Sequence, residues 1–157
     1  MIRKVIYVLL CFFILVSCWN TETDEKEYKF EIINESNSLM KIAVFNSSTE
    51  TQVGGQFLSA SPINSYSYNT SDKLLEINNS NDYVPQGDIG DSAVIVLGDK
   101  YLIHRYDQMN KVFTPDEGNI FRISSYTQET PTIYRMELNQ EDYDNASPCN
   151  DDPICGE

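Results

Sequence analysis

The chain has 157 residues, 41% of them hydrophobic, with 24 acidic side chains against 11 basic ones and a formal net charge of −13. Such a length suits one domain with one core. The acidity excludes nucleic acid as a partner, because binding it draws on clustered Lys and Arg to neutralise phosphates; its plain physical reading is a solvated surface that keeps the protein soluble.

The first element is a signal. Arg3 and Lys4 precede an unbroken apolar run over 5–16, well short of the roughly 20 residues that a membrane-crossing helix needs. The run ends in Leu15-Val16-Ser17-Cys18. This order of basic, apolar and small residues resembles the signal peptide and lipobox of a bacterial lipoprotein. The resemblance implies cleavage after Ser17 and a diacylglycerol on the Cys18 thiol. Two or three acyl chains, at roughly 0.8 kcal/mol per buried CH₂, then hold the protein to a membrane. An ordinary secretory signal that happens to contain a cysteine is the alternative. With Arg3 and Lys4 removed, 24 acidic residues face 9 basic ones, a formal charge of about −15. Residues 18–27 are polar and acidic and read as a tether. The acids just after Cys18 resemble the export signal that sends lipoproteins of the Bacteroidetes to the outer face of the outer membrane. The expected location is therefore the outer membrane, at the cell surface, with its periplasmic face as the alternative.

From Tyr28 the apolar period is two: Tyr28, Phe30 and Ile32 share one face of an expected strand. Glu35-Ser36-Asn37-Ser38 supplies turn formers before a second apolar run from Leu39 to Phe45, and the pair reads as a hairpin. A looser stretch follows, broken by Gly54-Gly55 and Pro62, before a strand from Ile63 to Asn69. There Tyr66 and Tyr68 share a face, lining either the core, the favoured reading, or an aromatic binding strip. Lys73 to Ile77 adds a short strand. Asn78 to Gly90, rich in Asn, Asp, Gly and Pro, reads as a surface loop suited to recognition. Asp91-Ser92-Ala93 resembles the short O-glycosylation pattern of exported Bacteroidetes proteins, which makes Ser92 a candidate glycan site; the alternative is that both polar residues simply end the loop.

Ala93 to Leu97 is apolar on both faces and reads as the central strand. Gly98-Asp99 is a two-residue turn with Gly first, the type II′ hairpin signal. Its partner, Tyr101 to Tyr106, places Leu102, His104 and Tyr106 on one face. Thr114 to Gly118 carries a type I turn pattern, after which Ile120 to Tyr126 and Ile133 to Leu138 are expected strands. Asn139 can cap a short helix with Glu141 and Asp142 in its first turn, ending near Ala146 before Pro148. The sum is an all-β chain, an antiparallel, immunoglobulin-like β-sandwich of about seven strands with one short C-terminal helix. The organisation is a signal over 1–17, a tether over 18–27, a sandwich domain over 28–146 and an acidic tail over 147–157.

Cys11 leaves with the signal and Cys18 takes the lipid, so Cys149 and Cys155 remain, and export to an oxidising compartment points to a disulfide between them. Zinc is the sharp alternative, but Cys-x₅-Cys with no second ligand pair lacks zinc spacing. The Asp-Ser-Ala-Val-Ile-Val run entering a tight hairpin, Asn119-Ile120-Phe121 leading to Ser125-Tyr126, and Asn-Gln-Glu-Asp-Tyr-Asp-Asn-Ala at 139–146 resemble the small lipoproteins of Bacteroidetes, which often close with such an Asp-Tyr-x-Asn-Ala segment. That resemblance covers about the last 65 residues and the signal, and it transfers no catalytic residues.

The one histidine, His104, sits mid-strand without a nucleophile pattern around it, and no catalytic or phosphate-binding motif is present. Calcium could find oxygen donors at Asp82, Asp88 and Asp91 or at Asp142, Asp144, Asp151 and Asp152, yet neither set fits an EF-hand loop. The expectation is no enzyme, no metal and no cofactor. The chain reads as a lipid-anchored, non-catalytic binding or accessory module of the cell envelope, with an envelope protein or glycan as partner. The alternatives are a protective lipoprotein that binds a basic toxin or enzyme, and a small carboxylate-based hydrolase.

Overall fold

Alternation in the sequence becomes two sheets that share one core. The structure is a computed structural model that describes residues 26–49, 51–55, 63–71, 82–84, 90–150 and 155. The signal stretch with Cys18, nearly all of the tether, the expected strand at 73–77 and most of the 78–90 loop lie outside the described residues.

Ten strands are named within them: β1 (Glu27–Asn34), β2 (Met40–Asn46), β3 (Thr51–Gly55), β4 (Ser65–Ser71), β5 (Ser92–Leu97), β6 (Lys100–Asp107), β7 (Val112–Thr114), β8 (Thr127–Thr130), β9 (Ile133–Leu138) and β10 (Ser147–Pro148). A 3₁₀ turn spans Ile123–Ser125 and one α-helix, α1, spans Gln140–Asn145. One sheet has the order β4-β1-β9-β8, the other β10-β6-β5-β2-β3 with β7 also on β6. The all-β sandwich with one short C-terminal helix is thus the observed architecture.

The core follows the period of two. On β1, Phe30 and Ile32 are fully buried, and on β5 Ala93, Ile95 and Leu97 face them as part of the same cluster. Phe30 is wedged among three tyrosines, stacked on Tyr68 at 5.3 Å and Tyr134 at 4.9 Å and edge-on to Tyr126 at 5.1 Å. Tyr68 belongs to this core, with half-buried Tyr66 packed against it, so the pair lines the interior. Val94 and Val96, on the opposite face of β5, are also buried, in keeping with a central strand covered on both sides.

The β5–β6 hairpin forms as expected, with Leu97 opposite Lys100 across Gly98-Asp99. Gly98 has φ +61, a backbone conformation that favours glycine. Asn139 caps α1 by accepting from the N–H groups of Glu141 and Asp142, while Asp142 Oδ2 accepts from Asn139 N–H, a complete capping box. Cys149 and Cys155 form a disulfide.

Four expectations need correction. Glu35–Ser38 does not close a hairpin. β1 pairs with β4 antiparallel and with β9 parallel, whereas β2 pairs with β3 and β5 in the other sheet. The connection arches between sheets because Asn34 folds it: its Nδ2 donates to Ser38 O and its Oδ1 accepts from Ser36. Second, Ile120 to Tyr126 is not a strand. A 3₁₀ turn takes Ile123–Ser125, the Ile120 N–H goes to His104 Nδ1 and not to a neighbouring strand, and Tyr126 turns its hydroxyl back to donate to Ile120 O at 2.7 Å. The strand in this region is β8, just beyond. Third, Thr51–Gly55 is strand β3: Gly54 and Gly55 pair with Val44 and Ala43 of β2, and a register shift between Val44 and Phe45 leaves Val53 as the extra residue. Last, the sheet reaches past residue 146, since Ser147 and Pro148 pair with Tyr101 and Lys100 of β6.

Candidate functional site

Two turns and a strand entry meet at one end of the β10-β6-β5-β2-β3 sheet: the turn leaving β2, the entry into β5 and the turn between β6 and β7. Between them lies an open cleft of about 790 Å³, lined by Asn46, Ser47, Ser48, Asp91, Arg105, Tyr106, Asp107, Gln108, Met109 and Thr114.

Each wall is held by a short polar side chain. Asn46 Oδ1 accepts from the N–H groups of Ser48 (2.9 Å) and Thr49 (3.1 Å), an Asx turn that ends β2. Asp107 does the same for the opposite wall, its carboxylate accepting from Met109 N–H (2.9 Å), Asn110 N–H (3.0 Å) and Asn110 Nδ2 (2.7 Å). Bonds from Asn110 hold the Asp107 carboxyl below the usual range, so it stays ionised. Asp91 joins the walls. Only 4% exposed, it accepts from Ser47 N–H at 2.7 Å and Ser47 Oγ at 2.8 Å. Its backbone completes the staple, with Asp91 N–H donating to Phe45 O and Tyr106 N–H donating to Asp91 O. A buried carboxylate without such partners would be costly; with them it ties β2, β5 and β6 together.

Ser92 begins β5, opposite both Phe45 and Arg105. Because Ala93, Ile95 and Leu97 face the core, Ser92 lies on the outer face, half-buried. If it carries a sugar, intact-mass measurement of protein from its native host should show an added hexose-sized increment that Ser92→Ala abolishes; equal masses apart from the substituted oxygen mean that Ser92 is bare.

His104 is no part of the cleft. It is 2% exposed, and its Nδ1 accepts from Ile120 N–H at 3.1 Å. Burial pushes its pKa down to about 4, so a neutral imidazole pins the buried Ile120-Phe121 segment to β6. The described part of the expected recognition loop is also structural. Tyr83 and Val84 are buried, and Tyr83 stacks on Tyr106 at 4.1 Å.

The acidic clusters are scattered or occupied. Asp82 accepts from Arg122 Nε at 2.7 Å and from Ser124 N–H at 2.9 Å; partial burial raises its pKa, but those bonds outweigh burial and the net direction is down. Asp142 is spent on the cap, and Asp144 accepts from Gln140. Asp88, Asp151 and Asp152 lie outside the described residues. Among the described residues, no group of three or more His, Cys, Asp or Glu side chains is placed to hold a metal ion, and no helix is long and apolar enough to cross a membrane.

Sequence reasoning missed the cleft. Its one legible trace was Asp91 ahead of the central strand, beside polar turns at 46–48 and 107–110, with no sign that these would converge. No family model, no curated protein and no solved structure matches the chain.

Proposed function

We propose that this chain is a lipid-anchored, non-catalytic binding module of the cell envelope, held to the outer membrane through Cys18 and taking its ligand in the cleft stapled by Asp91. The observation that carries the reading is the cleft itself, an open polar recess whose walls come from two turns and the entry into β5, held by side-chain hydrogen bonds. Loops on a rigid scaffold are where binding sites collect. The non-catalytic reading is supported by both cleft carboxylates being bonded into the turns they hold. The anchor reading rests on the Leu15-Val16-Ser17-Cys18 stretch and its apolar approach.

Two experiments test the two halves. Cys18→Ala should leave protein that no longer fractionates with membranes; retention at wild-type levels refutes the anchor. A photo-crosslinking residue in place of Gln108, in living cells of the native host, should give a discrete adduct that the same residue in place of Gln128 on β8 does not. No adduct at position 108 refutes the cleft. The charge of about −15 favours one second reading, capture of a basic protein steered by that field, and the mass of the adduct separates a protein from a glycan.

A further inference from the structure

Resting on the cleft reading above, we propose that the ligand is a neutral sugar, two of whose adjacent hydroxyls are gripped between Arg105 and Asp107. These residues stand two apart on β6, both exposed, and so share the sheet's outer face with backbones about 6–7 Å apart. No ion pair joins them, and Arg105 enters no ion pair among the described residues. The result is a donor beside an acceptor, each with capacity left. The guanidinium offers five N–H groups, and a carboxylate has about four lone-pair sites, of which the turn uses three at Asp107.

A vicinal diol matches that pair. One hydroxyl donates to Asp107 while its neighbour accepts from Arg105, each through a hydrogen bond of about 2.8 Å. Three charged side chains line the cleft, Asp91, Asp107 and Arg105, which leaves it with an excess of one negative charge. A phosphate or uronate would meet that excess, and a lone ammonium could not use Arg105. A hydroxyl can serve both neighbours because it donates and accepts. The acceptor of the pair is preorganised: three turn bonds hold the Asp107 carboxylate before any ligand arrives. Met109, 91% exposed at the rim, supplies an adaptable apolar surface for the C–H face of a sugar ring.

The test uses full-length mature protein in detergent, screened against neutral and acidic hexose oligosaccharides and then titrated calorimetrically with the best neutral one. Saturable binding is expected, weakened about ten-fold or more by Arg105→Gln and likewise by Asp107→Asn, as loss of a charge-assisted bond implies. Glu137→Gln, away from the cleft, should bind as wild type. Arg105 is exposed, so Arg105→Gln should unfold at the wild-type temperature and its result stands even if Asp107→Asn loosens the turn. Removing the hydroxyl that faces Arg105 should weaken wild-type binding and leave Arg105→Gln binding unchanged. The proposal is overturned if no neutral sugar saturates the protein at millimolar concentration, if Arg105→Gln binds as tightly as wild type, or if acidic sugars bind more tightly than neutral ones. A protein adduct at position 108 would overturn the sugar while keeping the cleft; no adduct there removes both.

Discussion

Phe30→Ala is expected to lower the stability of the domain by about 3–5 kcal/mol, the cost of emptying a large aromatic site in a close-packed core. A domain of this kind is stable by roughly 5–15 kcal/mol, so the variant should lose a large share of its margin. The site cannot easily collapse, because the three tyrosines around Phe30 come from three separate places: Tyr68 on β4, Tyr134 on β9 and Tyr126 just before β8. Tyr126 is further tied by its hydroxyl to Ile120 O, so filling the cavity would break a buried bond. Urea unfolding of the protein measures the effect as a fall in midpoint at constant slope. Phe45→Ala, in a strand position that is only half-buried, provides the comparison and should cost clearly less. Equal midpoints for wild type and Phe30→Ala would mean that β4, β9 and the β8 approach do not meet at this residue.

Acidification should remove about 3 kcal/mol of stability through His104 alone. The imidazole titrates near 6.5 in an unfolded chain but near 4 in the fold, because burial disfavours the charged ring. Above pH 6.5 both states hold the neutral form and the stabilisation is complete. As pH falls from 6.5 toward 4, only the unfolded state takes up the proton, and stability declines across that window. Below pH 4 both states are protonated and no further loss follows from this group. The factor of 1.36 kcal/mol per pH unit converts the interval into the figure of about 3. The carboxylates act lower. Glu31 is held down first by its bond from Lys29 and then by that from Arg135, and Asp82 by the Ser124 and Arg122 bonds that outweigh its burial; their stabilisation is present above the ordinary carboxylate values of 4.5 and 3.8 and is lost only below them. His104→Asn keeps an acceptor for Ile120 N–H but cannot titrate. Its stability should therefore be flat between pH 6.5 and 4.5 where wild type falls. Parallel curves would show that His104 is protonated without cost in the fold.

Local chemistry was readable wherever the interaction spans a few residues. Gly98-Asp99 declares its turn because only glycine takes φ +61 without strain. Asn139 declares a helix cap with Glu141 and Asp142 in the first turn, to which the structure adds the reciprocal Asp142 bond, and the buried face of β1 follows from an alternation that any half-buried strand must show. Cys149 and Cys155 lie six residues apart and are the two cysteines that the signal resemblance leaves over, so their disulfide could be expected before it was seen.

The failures share one cause, which is that strand pairing is a property of distant segments. Nothing between Tyr28 and Phe45 distinguishes a hairpin from an arch, since the same turn formers at Glu35–Ser38 serve both. The parallel neighbour of β1 is β9, about a hundred residues away, and its arrival decides that β2 must pair elsewhere. Ile120 to Tyr126 has the composition of a strand, yet Asn119 is fully buried with its Nδ2 bonded to Arg105 O and Pro115 O, and His104 Nδ1 takes the Ile120 N–H that a ladder would have used.

Composition, period and short-range spacing act without regard to the rest of the chain, and they carry the sandwich class, the β5–β6 hairpin, the helix cap, the disulfide and the acidic charge. Which strands are neighbours, and that Asn46, Asp91 and Asp107 meet around one cleft, follows from long-range pairing alone. Residues 46, 91 and 107 are far apart in sequence and become adjacent when β2, β5 and β6 pair in one sheet. Asp91 then becomes the carboxylate to which Ser47 donates, a role set by a register of pairing that no local pattern encodes.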